Sequence, residues 1–259
     1  MPIEIIVAIG AGLLCGFLNT VASSGSAVTL PLLILIGLAP SMANATNRVP
    51  VLVGALIASI TFLRAGIIDW SLAFKILTPT VIGSIFGASL AEYMPQSYIK
   101  LLIFIALLCA FLLLFSGIKQ LIENELEEGI RYRGFEIAIL FAVGLWLGLI
   151  VLDGATYMLL ALIAFVRLPL VKANAYKNLA ILATSAIALT VFSLNGEVNW
   201  EIGGIMALGS IVGAFLGAKF ALNPLAKVWT FRFLVTVILL ELIHMGVAHF
   251  TTPLISLTL

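Results

Sequence analysis

The run Ser23-Ser24-Gly25-Ser26 interrupts sequence that is otherwise apolar from about residue 3 to residue 37. In a chain that is 63% hydrophobic and 10% charged, this interruption governs which folds are open. Globular domains carry about 25% charged residues, so no soluble fold buries this much apolar surface, and the bilayer must be the solvent. A helix broken inside lipid frees backbone N–H and C=O groups that no water can satisfy. Such a break survives only where protein buries it or where it lines a wet cavity. The stretch Gly16–Arg48 therefore predicts an apolar helix, a polar break and a short apolar run to Gly37. A new helix is then entered through Ala43-Asn44-Ala45-Thr46-Asn47-Arg48.

Composition narrows the function classes. The net charge is +1 and no basic domain is visible, so nucleic acid is not an expected partner. The apolar runs are too long and too weakly alternating for β-barrel strands, which need only about ten alternating residues. Cys15 and Cys109 both lie in apolar runs and read as small buried hydrophobes, not as a disulfide or metal site. Glu4 precedes the first apolar run without any Lys or Arg, and Leu14 stands before Cys15. Neither a secretory nor a lipoprotein signal fits, so the segment is expected to be retained.

Apolar segments fall at about 3–22, 27–37, 41–64, 71–92 and 97–118, and again at about 135–151, 155–167, 170–194, 200–222 and 227–250. The segments at 27–37 and 155–167 are too short to span alone, because a spanning helix needs roughly 20 residues. Short interrupted segments at matching places in two halves point to an inverted-repeat transporter and its binding site. An offset of 130 residues takes Ala43, Asn44 and Ala45 onto Ala173, Asn174 and Ala175. The same offset takes Phe62, Gly66 and Trp70 onto Phe192, Gly196 and Trp200, and Gly83, Gly87 and Ala88 onto Gly213, Gly217 and Ala218. The expected fold is an all-α polytopic membrane protein of two inverted repeats, each of about five segments with broken or re-entrant half-helices. Its parts are an N-terminal repeat at 1–118, a connection at 119–134 and a C-terminal repeat at 135–259. Alternate connections gather Arg64, Lys75, Lys119, Arg131, Arg133, Arg167, Lys172, Lys177, Lys219, Lys227 and Arg232 on one side, against Arg48 and Lys100 on the other. The positive-inside rule makes the rich side cytoplasmic and leaves both termini outside the inner membrane.

The half-helices after Gly25 and Gly154 are expected to aim their N-termini at the bilayer midplane, where free N–H groups and the positive dipole end favour an anion. Ser23, Ser24 and Ser26 add hydroxyls there, as Thr156 and Tyr157 do in the second half; serine and glycine that merely let helices pack closely is the plainer alternative. Arg48 and Lys177 each lie about two turns into a helix, and charge at that depth faces a cavity or a partner. Snorkelling to an interface, or pairing with Asp153, is the structural alternative. Asn44, Asn47, Asn174 and Asn178 recur on the same two helices, as amide donors to substrate or as interhelical bonds and helix caps. Asp153 has no acidic counterpart in the first half and is the candidate coupling residue, to carry a proton or bind sodium, with neutralising Lys177 as the alternative. Glu241 with His244, and His249, read as structural, since one Glu-x-x-His is far short of a di-metal bundle. No cofactor or metal is expected.

The run from Gly16 through the break and Pro31 to Gly37-Leu38-Ala39-Pro40, the Ala-Asn-Ala helix start and Leu63-Arg64-Ala65-Gly66 resemble the sulfite exporter TauE/SafE family. The second half, with Asp153-Gly154, Leu168-Pro169, Asn195-Gly196 and Asn199-Trp200, is similar to that family's second repeat. The likeness covers nearly the whole chain, although the family is glycine-rich where this chain has Ser23-Ser24-Gly25-Ser26 and Asp153-Gly154-Ala155. It implies a permease for sulfite, sulfonates such as sulfoacetate, or other small organic anions. The expected partners are then a small anion, the lipid bilayer and, for uptake, protons; a homodimer is left open.

An inside-negative potential contributes about 2.3 kcal/mol per charge for every 100 mV, so anion export runs downhill and uptake needs coupling. Proton-coupled uptake of a small carboxylate or sulfur oxyanion, or an anion channel, is the alternative to export. An intramembrane enzyme would need paired aspartates, a Ser/His set or zinc ligands at membrane depth, and the sequence offers none of these.

Overall fold

The computed structural model describes residues 2–94, 98, 130–152, 154–223, 226, 229, 230, 232, 233 and 236. Asp153, Cys109, Lys100, Lys227, Glu241, His244, His249, nearly all of the segment at 97–118, and residues 119–129 of the connection lie outside them. All regular structure among the described residues is helical. The helices are α1 (Pro2–Ala22), α2 (Gly25–Leu35), α3 (Pro40–Arg64), α4 (Trp70–Glu92), α5 (Gly134–Leu149), α6 (Gly154–Ala164), α7 (Leu170–Leu194) and α8 (Trp200–Ala221). Five of them are long and apolar enough to cross a membrane: α1, α3, α4, α7 and α8. α2 and α6, of 11 residues each, are the short pieces that follow the breaks.

The ends of these helices are written in matching residues of the two halves. Asp69 caps α4 by accepting from the amides of Ser71 and Leu72 at 3.1 and 3.3 Å, and Asn199 caps α8 by accepting from Ile202 at 3.0 Å. Side-chain oxygens there satisfy amides that have no partner within the helix. α3 ends at Gly66 and α7 at Gly196, both with φ +70°. The amides of Gly66 and Ile67 reach back to Leu63 and Phe62. Those of Gly196 and Glu197 reach back to Ser193 and Phe192 in the same way, which is the Schellman closure that a left-handed glycine permits.

Packing brings the halves together crosswise. Gly12 and Gly16 of α1 face the Met206 and Ser210 carbonyls of α8, and Gly209 and Gly213 face Ile9 and Leu13, so the two helices run parallel with touching backbones. Gly83 and Gly87 of α4 face Phe141 and Leu145 of α5, and Gly144 and Gly148 return the contact at Thr80 and Ser84. Close approach of this kind suits lipid, where association depends on van der Waals fit and not on water release. α3 and α7 lie at the centre and run antiparallel: Val49 clusters with Leu189, while Ala58 and Phe62 cluster with Ala175. Apolar side chains such as Ile6, Leu14, Phe74, Phe86, Leu208 and Val212 cover the outside, as a lipid-facing surface requires.

α2 folds back along α1. The Gly25 amide donates to Asn19 Oδ1 at 3.3 Å and Thr29 Oγ1 lies 3.7 Å from Cys15 Sγ, so successive turns of α2 meet earlier turns of α1. The first break is therefore the tip of a helical hairpin.

Candidate functional site

The first break is built on Ser23, whose backbone takes a left-handed φ of 65° and so turns the chain from α1 into α2. The last turn of α1 leaves carbonyls without intrahelical donors. Lys177 of α7 supplies them: its Nζ donates to the Asn19 and Thr20 carbonyls at 2.7 and 3.0 Å. It also meets Ser23 Oγ at 3.0 Å and Asn174 Oδ1 at 3.1 Å. From the second half-helix, Thr156 Oγ1 donates to the Ser23 carbonyl at 3.2 Å. The first break is thus closed by residues of the opposite half.

The second break repeats the arrangement with different side chains. Arg48 of α3 sends its two terminal nitrogens to the Leu147 and Gly148 carbonyls, both at 2.8 Å, in the last turn of α5. Its guanidinium lies 5.1 Å from the centre of the Phe192 ring, a distance at which cation and ring attract. Asn44, one turn earlier on α3, spans the break itself. Its Nδ2 donates to the Leu149 carbonyl at 3.3 Å and its Oδ1 accepts from the Val151 amide at 3.0 Å. Trp146 Nε1 donates to the Leu152 carbonyl at 3.0 Å, and its ring meets Tyr157 edge-on at 5.8 Å.

Both cations are fully enclosed, Arg48 at 1% and Lys177 at 0% exposure, and among the described residues their hydrogen-bond partners are all neutral oxygens. Several polar atoms around them have no partner among the described residues: Ser24 Oγ, Asn47 Nδ2, Arg48 Nε and Asn174 Nδ2. Each of them is able to donate. Buried polar groups are nearly always paired, so a concentration of orphans at two helix breaks marks a place where an acceptor is expected.

The residues singled out from sequence gather at the two breaks, which Thr156 of α6 links through its bond to Ser23. Ser23, Asn174, Lys177 and Thr156 gather at the first break, with Asn178 donating back to the Asn174 carbonyl at 2.8 Å. Asn44 and Arg48 gather at the second. Asn47 stands apart, its Oδ1 accepting from Thr29 of α2. Gly25, Ser26 and Gly154 are buried in the opening turns of α2 and α6, and Tyr157 is half-buried. Asn19, Thr20, Thr29 and Phe192 were not foreseen. In the sequence, Asn19-Thr20 stands as polar residues in the last turn before a break and Thr29 as one turn beyond Gly25, while Phe192 has only its repeat match to Phe62.

The family model for the sulfite exporter TauE/SafE family matches residues 8–245. A "Probable membrane transporter protein" of Haemophilus influenzae is 28% identical over 82% of this chain and 83% of its own length. The "Probable membrane transporter protein YfcA" of Escherichia coli is 27% identical over 86% of this chain and 82% of its own. A "Probable membrane transporter protein" of Xylella fastidiosa is 27% identical over 84% and 85%. No solved structure matches the chain.

Proposed function

Because the chain belongs to the sulfite exporter TauE/SafE family of membrane transporters, we propose that it is a secondary permease, not an enzyme, that exports a small sulfur-containing or organic anion such as sulfite or a sulfonate. The inner membrane is its site, with both termini outside and the connection at 119–134 in the cytoplasm. The two halves act as an inverted pair, a reading supported by the antiparallel course of α3 and α7 and by their identical closing turns.

The observation that carries the reading is the set of unpartnered buried donors, Ser24, Asn47, Arg48 and Asn174, beside two cations whose described partners are neutral. An anion brings acceptors to such a place and is favoured by the surplus positive charge. A metal cation or a neutral sugar is not. Asp153 next to the second break is the residue through which proton-coupled uptake would operate instead; export needs no such group.

Purified protein in liposomes tests this with a panel of sulfite, sulfate, thiosulfate, sulfoacetate and acetate. The expected result is saturable flux of a member of the panel, competed by others, and preserved in Asp153→Asn. Unsaturable flux indicates a channel, indifference to anions refutes the anion reading, and loss of both flux and its pH dependence in Asp153→Asn indicates proton coupling.

A further inference from the structure

Arg48 and Lys177 are the natural candidates to hold an anion, yet the Lys177 ammonium is fully engaged and, of the Arg48 nitrogens, Nε alone has no partner among the described residues. An ammonium has three N–H donors, and Lys177 Nζ has four oxygens within 3.1 Å. Arg48 commits both terminal nitrogens to carbonyls and one face to Phe192. The recipients are the same structural feature in each case. Asn19 and Thr20 lie in the last turn of α1, which ends at Ala22; Leu147 and Gly148 lie in the last turn of α5, which ends at Leu149. Such a turn carries unpaired carbonyls and the negative end of the helix dipole.

The pattern is reciprocal. A residue of α7 closes the end of α1, and a residue of α3, the equivalent of α7, closes the end of α5, the equivalent of α1. It is reached without equivalent positions: the 130-residue offset places Arg48 on Asn178 and Lys177 on Asn47. The halves keep the contact while changing both the residue type and its place in the helix. A helix end that stops inside the membrane presents unpaired carbonyls and the negative dipole end wherever it is, and a cation suits both; a bound molecule gives no reason for two cations at two separate helix ends.

We propose that Lys177 and Arg48 are positioning residues, a reciprocal pair in which each half holds closed the broken helix of the other, and that the transported molecule is bound by neutral donors, Asn174 Nδ2, Asn47 Nδ2 and Ser24 Oγ. This rests on the reading of the chain as an anion permease. Both amides flank one stretch of α1. Asn174 reaches it through Lys177 at Asn19-Thr20, and Asn47 through Thr29 at Cys15, so the two places on α1 that they reach are about one turn apart, ~6 Å at 1.5 Å per residue. Asn174 joins the two roles: its Oδ1 holds Lys177 while its Nδ2 has no partner among the described residues.

Sulfite flux into proteoliposomes and thermal unfolding in detergent, measured on the full chain, separate the roles. In Lys177→Met, the melting temperature and the maximal flux fall while KM for sulfite stays within about twofold. Lys177→Arg, which still donates to carbonyls, restores part of both. Asn174→Asp keeps the oxygen that holds Lys177 but removes the free donor, so stability is kept and KM rises about tenfold or more. The proposal is overturned if Lys177→Met or Lys177→Arg raises KM about tenfold with stability kept, or if Asn174→Asp leaves KM unchanged. Should Lys177→Met not fold, KM in Lys177→Arg and Asn174→Asp decides alone. If the unaltered protein carries no anion of the wider panel, the permease reading itself fails; a fall in stability confined to Lys177→Met still registers the helix-end contact.

Discussion

Asn44 occupies an exacting position. One amide side chain satisfies a carbonyl and an N–H that the break between α5 and α6 leaves open, and it does so at 4% exposure. Each buried backbone group stripped of its partner costs about 1–3 kcal/mol. Asn44→Leu, of similar size, strips two, so a loss of ~2–6 kcal/mol is expected, read as a lower melting temperature in detergent. Asn44→Asp, which still accepts from Val151, should lose about half of that. An unchanged melting temperature in Asn44→Leu would show that water or a rearranged loop takes over the bonds. Much of this was readable at the level of residue type: paired asparagines on apolar helices must bond to something, and capping a broken helix was one of the two roles open to them. What was not readable is the target. Leu149 and Val151 are more than a hundred positions away, and only the cross-packing of the halves brings them near. Asn174, the repeat mate of Asn44, shows the limit of repeat logic, because its side-chain oxygen holds the lysine that closes the first break and not the backbone of the break.

At the level of elements, the internal repeat predicts the architecture closely because it acts through backbone geometry. Helix starts at Gly25 and Gly154, caps at Asp69 and Asn199 and closing turns at Gly66 and Gly196 all follow from residues whose conformational or capping preference is strong. Arg167 is the exception. It holds a left-handed φ of 60° at the place the offset assigns to Gly37, whose φ is 100°. Nothing in an arginine announces that turn; only the repeat does. The α4–α5 contact was half legible, since Gly83 and Gly87 stood out as repeat glycines while their partners on α5 did not. A Cβ on Gly144 would strike the backbone carbonyl of Thr80, which cannot rotate away as a side chain would. Gly144→Val is therefore expected to force the helices apart, costing about 1–3 kcal/mol or more, with lower yield of folded protein on gel filtration. Gly204→Ala on α8, where nothing lies within 4 Å, is the matched control and should be neutral. Equal damage from both would mean that glycine matters there for some reason other than close approach.

For the whole molecule, the parallel pairs α1–α8 and α4–α5 and the antiparallel central pair α3–α7 have a joint consequence for topology. α3 and α7 are each 25 residues long, enough to cross the hydrocarbon core of about 30 Å at 1.5 Å per residue. Their closing turns are then on opposite faces of the membrane. Trp70 and Trp200, about half exposed at the starts of the next helices, suit the two interfaces where aromatic rings collect. The proposed orientation rests on charge: Arg64 and Lys75 flank the α3 closing turn, as the positive-inside rule asks of a cytoplasmic face, while the α7 turn at Asn195 has no such flank. Ala65 and Asn195 are exposed cap residues with ordinary negative φ, so cysteine fits either without strain. In a Cys109→Ser background, with Cys15 buried, Asn195→Cys should react with a membrane-impermeant maleimide in intact cells. Ala65→Cys should react only after the membrane is opened. Labelling of both from one face would contradict the inverted arrangement, whereas the reverse pattern would keep the inversion and overturn the orientation. The two outcomes thus separate the packing of the halves, which depends on helix contacts, from their insertion, which depends on charge.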